Sequence, residues 1–332
     1  MSNQHTVVIT GAAGQDGMIL GLKLSEAGYT VHGIVRNQHQ ADLLTSYNPQ
    51  VKTEILDGSD LSAIKKFLNE KQPNQVFHLS AKSSVAQSWV DSENTLATNV
   101  FQTLNWLNAL NQLGMHSTRF YQASSSEMFG LPKSYPQNEE TLLHPRSPYG
   151  VSKMAAHHLV INYRESFGQF ASTGILFNHE SPLRDTQFVT RKITNGAAQI
   201  ARGKINSLSL GNIDISRDWG WAPDYAEGMI SILSHDSPDD FILATGVSRT
   251  LKDFIACAFS AVGIENWEEF VSIDESLIRP ADVISVVGDA TKARSILGWA
   301  PSTDFESMIN QMVAHDLAVI DSGNNSLVWK PE

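Results

Sequence analysis

Two short stretches of the chain carry side chains that could do acid–base chemistry. Ser124 to Glu127 reads SSSE, and Tyr149 to Lys153 reads YGVSK. If the second stretch is helical, the tyrosine and the lysine at its two ends lie four residues apart and share one face. The ammonium of Lys153 would then lower the pKa of the phenol, so that Tyr149 could take a proton from a substrate alcohol.

The first stretch adds two further groups. Ser125 supplies a hydroxyl that could orient the alcohol, and Glu127 supplies a carboxylate that a plain alcohol dehydrogenase does not need. A hydride-transfer site with an additional base predicts oxidation followed by elimination.

The elements that must position these groups alternate along the chain. Apolar strand-like runs separated by amphipathic stretches lie at Thr6 to Thr10, Thr30 to Val35, Val51 to Leu56, Gln75 to Leu79, Arg119 to Ala123 and Gly174 to Phe177. Strands that alternate with helices predict parallel pairing with right-handed crossovers. The fold class is therefore α/β, a doubly wound parallel sheet of the Rossmann type.

After Asn178 the pattern becomes less regular, with helices predicted at Phe188 to Arg202, Asp224 to Leu233 and Thr250 to Val262, and a strand at Asp240 to Thr245. We expect the sheet domain to comprise residues 1–180 plus about 217–246. A smaller α/β substrate-binding lobe would then use residues 181–216 plus 247–332.

A glycine-rich turn joins the first strand to the first helix. Gly11, Gly14 and Gly17 allow a tight turn in which backbone amides approach a pyrophosphate at the helix N-terminus. Arg36 ends the second strand, where an arginine suits a ribose 2′-phosphate, so the pattern favours NADP over NAD. Asp57, just past a later strand, is either an adenine contact or a helix cap.

Composition limits the remaining possibilities. The 332 residues are 42% hydrophobic and 18% charged, as in soluble globular proteins. A formal net charge of −11 argues against sequence-independent nucleic-acid binding. The single cysteine, Cys257, and the lack of a long apolar run predict a cytoplasmic protein with no membrane span. The eleven histidines form no convincing ligand pattern, so no metal site is expected.

The chain resembles the GDP-mannose 4,6-dehydratase family of the extended short-chain dehydrogenases/reductases over nearly its whole length. The resemblance rests on several runs: Thr10 to Gly17, Val31 to Arg36, Phe120 to Ser124, Pro145 to Gly150, Gly174 to Pro182, Phe188 to Ile193, Leu210 to Asn212, Arg217 to Gly220, and Arg279-Pro280.

The resemblance implies roles for individual residues. The catalytic set would be Ser125, which stands where the family has a threonine, with Glu127, Tyr149 and Lys153. The positions that would contact NADP, or alternatively NAD, are Gly11, Gly14, Gln15, Asp16, Gly17, Arg36, Asp57, Ser80, Ala81, Tyr149, Lys153, His179 and Arg184. The positions near the nucleotide sugar would be Ser83, Ser125, Asn178, Lys192, Arg217 and Arg279.

The resemblance also implies a reaction and an assembly. Tyr149 would deprotonate the C4 hydroxyl as a hydride leaves C4, and Glu127 would take the C5 proton as the C6 hydroxyl departs. Return of the hydride to C6 gives a 4-keto-6-deoxy sugar, so the net activity is that of a lyase. Relatives are dimers or tetramers, and apolar helices such as Leu96 to Leu110 could supply an interface.

The sequence departs from the family pattern at some likely contact positions. Lys82 and Ser84 replace a glutamine and a histidine, Asn37 replaces an arginine, Leu183 an arginine, Asn94 a tyrosine and Trp221 a histidine. Three alternatives to a GDP-mannose dehydratase therefore stay open. They are the same chemistry on another GDP-sugar such as a GDP-heptose, a nucleotide-sugar 4-keto reductase, and a catalytically silent protein that senses NADP.

Overall fold

The computed structural model describes residues 5–278, 283, 285–324 and 328–331. Its strands are β1 (Thr6–Thr10), β2 (Thr30–Val35), β3 (Lys52–Ile55), β4 (Gln75–His78), β5 (Arg119–Ser125), β6 (Ala171–Leu176), β7 (Asn178–Glu180), β8 (Leu208–Leu210), β9 (Ser216–Trp221), β10 (Asp240–Leu243), β11 (Ser248–Thr250) and β12 (Val271–Ile273). Its α-helices are α1 (Gln15–Glu26), α2 (Gln38–Tyr47), α3 (Leu61–Lys71), α4 (Val85–Val90), α5 (Ser92–Leu96), α6 (Gln102–Gln112), α7 (Pro148–Phe167), α8 (Val189–Ala201), α9 (Ala222–Ser234), α10 (Leu251–Ser260) and α11 (Phe305–Ser322).

A seven-stranded sheet with the order β10-β6-β5-β4-β1-β2-β3 forms the centre of the molecule. Every pairing within it is parallel, which confirms the predicted doubly wound fold. Val7, Val8 and Ile9 of β1 are completely buried because helices cover both faces of the sheet. Such two-sided burial explains why the strand is a continuous apolar run rather than an alternating one.

Two hydrophobic cores line the two faces of this sheet. On one face, α1 packs against α9, and residues such as Leu20 and Met229 fill the space against the strands. On the other face, α3, α6 and α7 pack side by side, with Trp106 and Phe120 among the buried residues.

A third core belongs to the smaller lobe. Helices α8, α10 and α11 pack together with β8, β9 and the residues Phe254, Ile309 and Met312 at the centre. A three-stranded sheet, β11-β9-β7, and a two-stranded sheet, β12-β8, complete this part. The chain returns to the large sheet with α9 and β10, whereas Trp219 and Trp221 of β9 lie in the third core. We keep the predicted division into two discontinuous domains as a proposal.

The predicted boundaries differ from the observed ones at two places that matter. Strand β5 extends to Ser125, two residues beyond the predicted end, so the strand itself presents the serine. The predicted helix over Leu96 to Leu110 contains a π-helical turn at Ala97–Phe101. Within it Trp106, Leu107 and Leu110 are buried in the subunit, while Leu96 and Phe101 are exposed. None of the helices in the described ranges is long and apolar enough to span a membrane.

Candidate active site

Ser125 and Glu127 lie where β5 ends. The strand passes directly into a 3₁₀ turn, Ser126–Met128, and the Ser125 hydroxyl accepts a hydrogen bond from the Glu127 backbone N–H at 3.3 Å. Ser125 is buried, and Glu127 is half-buried. The carboxyl end of a parallel strand is the edge at which α/β sheets bind ligands, so these two groups face the expected side.

Tyr149 and Lys153 occupy the first two turns of α7. Ser147 caps the helix by accepting the Gly150 N–H at 3.0 Å, and Pro148 stands at the first helical position. A Cβ on Gly150 would lie only 2.6 Å from the Glu127 carbonyl oxygen. The absence of a side chain at position 150 therefore allows the helix start to sit directly against the 3₁₀ turn.

This contact couples three of the catalytic candidates electrostatically. Burial raises the pKa of Tyr149 to about 12, a hydrogen bond with Ser125 acts in the opposite direction, and the charge of Glu127 raises the pKa further. The structure therefore brings Ser125, Glu127 and Tyr149 into one corner of the molecule.

Lys153 is held beside the phenol, whose pKa is nevertheless raised. Its Nζ lies 5.9 Å from the centre of the Tyr149 ring and donates a hydrogen bond to the Ala123 carbonyl at 2.8 Å. Burial also lowers the pKa of Lys153 itself, to about 8. The predicted net lowering of the Tyr149 pKa is wrong for the observed arrangement, because desolvation of the phenol dominates.

The glycine-rich turn forms a cradle at the N-terminus of α1. Gly11 has a φ of +68°, and a Cβ there would lie 2.9 Å from the Ser80 backbone nitrogen. A Cβ on Gly17 would lie 2.5 Å from the Gly11 carbonyl oxygen. Gly14 caps α1 without any side-chain hydrogen bond. The first amides of the helix are thus presented in the way that suits a pyrophosphate.

His179 stands beside Asp16 in the first turn of α1. Its Nε2 lies 3.0 Å from the Asp16 Oδ2, and its Nδ1 lies 2.7 Å from the Phe177 carbonyl oxygen. Burial would raise the pKa of Asp16, but His179 and a hydrogen bond from Gln15 hold it at about 2. Burial would lower the pKa of His179, but Asp16 raises it above its usual value. Both ring nitrogens of His179 thus have partners within the protein. His179 therefore influences the groove by way of the Asp16 carboxylate, which lines it.

The other end of the cradle lies between β2 and β3. Arg36 and Asp57 both line the groove, and Asp57 accepts the Ser59 N–H at 2.9 Å. The N-cap of α3 is Asp60, not Asp57, so the helix-cap interpretation of Asp57 is wrong. Asn37, which replaces a family arginine, caps α2 by accepting the Gln40 N–H at 3.0 Å.

A groove of about 1030 Å³ connects these features. Its lining includes most of the predicted cofactor positions and one predicted sugar position, namely Gly11, Gly14, Gln15, Asp16, Gly17, Arg36, Asp57, Ser80, Ala81, Arg184 and Ser83. Tyr149, Lys153 and His179 are not among the lining residues. The Arg184 guanidinium stacks over the Phe188 ring at 3.8 Å and lies 3.3 Å from the Glu180 carboxylate. The volume, the cradle and the two arginines fit a dinucleotide.

Three of the predicted sugar-contacting residues, Asn178, Lys192 and Arg217, lie on β7, α8 and β9, which pack in or beside the smaller lobe. Asn178 begins β7 and pairs with Trp219 of β9, two residues after Arg217 on the same strand. Arg217 is buried and donates to the Ser216 and Val283 carbonyls at 2.9 and 2.7 Å. Lys192 on α8 donates to the Ser209 carbonyl at 2.6 Å. Arg279 lies outside the described residues.

Sequence reasoning missed a polar link between the groove and α7. The buried Asn99 amide donates to the Ser152 hydroxyl at 2.9 Å and to the Lys82 carbonyl at 3.1 Å, and its oxygen accepts the Lys82 N–H at 2.8 Å. The Ser152 hydroxyl donates to the Tyr149 carbonyl at 2.7 Å. An amide inside the apolar run Leu96 to Leu110 is the signal that could have revealed it.

A second missed feature is an ion pair formed by Lys82, the residue whose backbone Asn99 contacts. The Lys82 Nζ lies 2.5 Å from the Asp91 Oδ2, and Asn94 donates to the other carboxylate oxygen at 2.9 Å. Two of the departures from the family pattern, Lys82 and Asn94, therefore meet at Asp91. Within the described ranges, no group of three or more His, Cys, Asp or Glu side chains is arranged to hold a metal ion.

The sheet order, the cradle and the Ser–Tyr–Lys arrangement define an extended short-chain dehydrogenase/reductase. The family model for GDP-mannose 4,6-dehydratase matches residues 8–312. The chain therefore belongs to the GDP-mannose 4,6-dehydratase family.

Individual relatives agree with this membership across kingdoms. The chain is 40% identical to a GDP-mannose 4,6-dehydratase of Sinorhizobium fredii, over 96% of this chain and 99% of that protein. It is 42% identical to GDP-mannose 4,6 dehydratase 1 of Arabidopsis thaliana, over 93% and 89% of the two chains. The human GDP-mannose 4,6 dehydratase is 38% identical, over 97% and 94%.

Solved structures resemble the fold at lower identity. RMD from Pseudomonas aeruginosa, complexed with NADPH, gives a TM-score of 0.81 at 24% identity and covers 95% of this chain and 98% of that one. A dTDP-glucose 4,6-dehydratase from Bacillus anthracis, in complex with NAD, gives 0.81 at 17% identity and covers 93% and 96%. At these identities the likeness establishes the shared fold alone.

Proposed function

We propose that the protein is a lyase that converts GDP-mannose to GDP-4-keto-6-deoxymannose. Membership of the family supports the substrate, and the named relatives in bacteria, plants and animals are all GDP-mannose 4,6-dehydratases. Neither a GDP-heptose substrate nor a 4-keto reductase is favoured by these relatives. The observation that carries the proposal is the position of Glu127, two residues past the end of β5 and against the start of the Tyr149 helix.

The four candidate residues divide the reaction between them. Ser125 and Tyr149 share a hydrogen bond and hold the C4 hydroxyl, whose proton Tyr149 removes. A nicotinamide cofactor bound in the groove would supply the acceptor for the C4 hydride and the source of the hydride for C6. Lys153, fixed on the Ala123 carbonyl, keeps a positive charge beside the phenol ring. These assignments remain proposals for this chain.

Glu127 performs the elimination. The C4 ketone acidifies the C5 proton, which the Glu127 carboxylate takes while the C6 hydroxyl leaves. The departing hydroxide and the proton from the C4 hydroxyl together make the released water. After reduction at C6, C5 regains one proton, so the sugar loses one water and the cofactor is unchanged overall.

The cofactor is proposed to be NADP. Two solved relatives of the fold carry NADPH and NAD in their structures, which supports a nicotinamide dinucleotide in the groove. Arg36 at the end of β2, with the N-terminus of α2 beside it, supports recognition of a 2′-phosphate. We further propose a cytoplasmic homodimer or homotetramer, for which the exposed Leu96 and Phe101 offer contact surface.

The reaction can be tested in deuterated water. Purified protein is incubated with GDP-mannose and NADP⁺, and the product is examined by NMR. We expect a 4-keto-6-deoxy sugar that carries deuterium at C5, with no net formation of NADPH. Recovery of unchanged GDP-mannose from protein that binds NADPH would contradict the proposal. A reduced product without C5 exchange would instead indicate a 4-keto reductase.

A further inference from the structure

The last residues that the structure describes return to the groove. Val328 is half-buried and lines it, together with Gly14 and Asp16 of the cradle. Residues 328–331 have no regular secondary structure, so no helix or sheet hydrogen bonds hold them there. Their position must come from side-chain contacts.

Trp329 supplies the main contact. Its ring centre lies 5.1 Å from that of Trp221, at an interplanar angle of 75°, which is an edge-to-face arrangement. Trp221 ends β9, and Trp329 packs against both the core beneath α1 and α9 and the core of the smaller lobe. One side chain thus touches both parts of the molecule next to the groove between them.

A second contact fixes the far side of the segment. The Lys330 Nζ lies 5.6 Å from the centre of the Tyr47 ring, at the end of α2. The segment is therefore attached at Trp221 on one side and at α2 on the other, and Val328 is held against the groove.

We propose that residues 328–331 form a clasp that supplies one wall of the cofactor site. Val328 contacts the bound dinucleotide, and Trp329 is the positioning residue that holds Val328 in place. This inference rests on the proposed function, because it takes the groove to be the dinucleotide site. An apolar side chain beside the cradle excludes water from the backbone amides at the N-terminus of α1, which strengthens their attraction for the pyrophosphate.

The test measures binding, not turnover. The dissociation constants of NADPH and NADH are determined by fluorescence titration of the full-length protein without any sugar. In V328D a carboxylate would face the anionic cofactor, and we expect both constants to rise at least tenfold. V247D introduces the same charge at an exposed valine that does not line the groove, and it should change neither constant more than twofold.

Two substitutions of Trp329 separate its role in positioning Val328 from a role in general stability. W329A should weaken binding of both nucleotides about three- to tenfold, whereas W329F keeps an aromatic ring against Trp221 and should bind like the wild type. Thermal melting identifies any variant that fails to fold. If V328D does not fold, the comparison of W329A with W329F decides the question.

The outcomes are distinguishable. Wild-type affinity in folded V328D, or equal affinities in W329A and W329F, would overturn the clasp and leave the proposed function intact. A folded wild-type protein that binds neither NADPH nor NADH would overturn the cofactor assignment and the clasp with it.

Discussion

His179 faces an acceptor with each of its ring nitrogens, and one of these acceptors is Asp16. Its Nδ1 lies 2.7 Å from the Phe177 carbonyl oxygen and its Nε2 lies 3.0 Å from the Asp16 carboxylate. A carbonyl and a carboxylate both accept, so protonation of both nitrogens satisfies both contacts, which agrees with the raised pKa of the ring. The ring also stacks on Tyr225, with centres 4.7 Å apart, which suits a cation.

The charge of this pair makes the stability of the protein depend on pH. The pKa of His179 is raised, so its contribution is complete below the ordinary value near 6.5 and is lost as the pH rises through the folded-state pKa. The pKa of Asp16 is about 2, so its contribution is complete above the ordinary value of 3.8 and is lost only as the pH falls towards 2.

We therefore expect H179Q to lose about 2 to 4 kcal/mol of unfolding free energy at pH 6, because the substitution leaves Asp16 without its cation. The difference from wild type should shrink at pH 9, which urea unfolding at both pH values would measure. H158Q, at an exposed histidine of α7, is the control. A loss for H179Q that is the same at both pH values would contradict a charged ring.

Ser125 should set the pH dependence of proton removal from C4. Its hydrogen bond opposes the rise of the Tyr149 pKa, so in S125A that pKa should rise further. We expect the increase of kcat/KM with pH to move to higher pH, and kcat/KM at pH 8 to fall about 10- to 100-fold. S125T keeps the hydroxyl and should keep the wild-type profile. A uniform loss in S125A without displacement of the profile would indicate misplacement of the substrate instead.

Glu127 should separate elimination from oxidation. E127Q keeps the shape of the side chain but removes the base, and we expect kcat to fall about 10²- to 10⁴-fold. Exchange of the C5 proton with deuterated water, followed by NMR, should fall in parallel. E165Q, at an exposed glutamate on α7, is the matched control. C5 exchange at the wild-type rate in E127Q would assign the base to another residue.

Arg36 should decide between the two cofactors. A charge-assisted hydrogen bond to a phosphate is worth about 1.5 to 3 kcal/mol, so R36A should bind NADPH about 10- to 100-fold more weakly. NADH lacks the 2′-phosphate, and its affinity should change less than threefold. Fluorescence titration with both nucleotides measures the effect. Equal losses for NADPH and NADH would show that Arg36 does not read the phosphate.

The sequence was sufficient for those features that local patterns encode. Buried strands such as β1 are continuous apolar runs, and the glycine spacing marks the turn into α1, so the sheet and the cradle could be predicted. The Tyr149–Lys153 spacing likewise placed both residues on one helix. The pKa of Tyr149 could not be predicted, because it depends on burial by elements distant in the chain.

Long-range polar contacts were the other omission. The Asn99–Ser152 bond joins residues 53 positions apart, and the Lys82–Asp91 pair forms across a loop and the short helix α4. No periodicity marks such pairs, since each depends on how separate helices pack. The role of His179 was foreseen only as a cofactor contact, while its two acceptors are visible only in three dimensions.

The position of β10 at the edge of the seven-stranded sheet has a consequence for biosynthesis. This strand pairs with β6, yet the ribosome makes α8, β8 and β9 in between. The sheet therefore stays incomplete, with one edge of β6 unpaired, until a part of the smaller lobe and then β10 have left the exit tunnel. An exposed strand edge in a nascent chain is a site for aggregation, so chaperone demand should peak between synthesis of β6 and synthesis of β10.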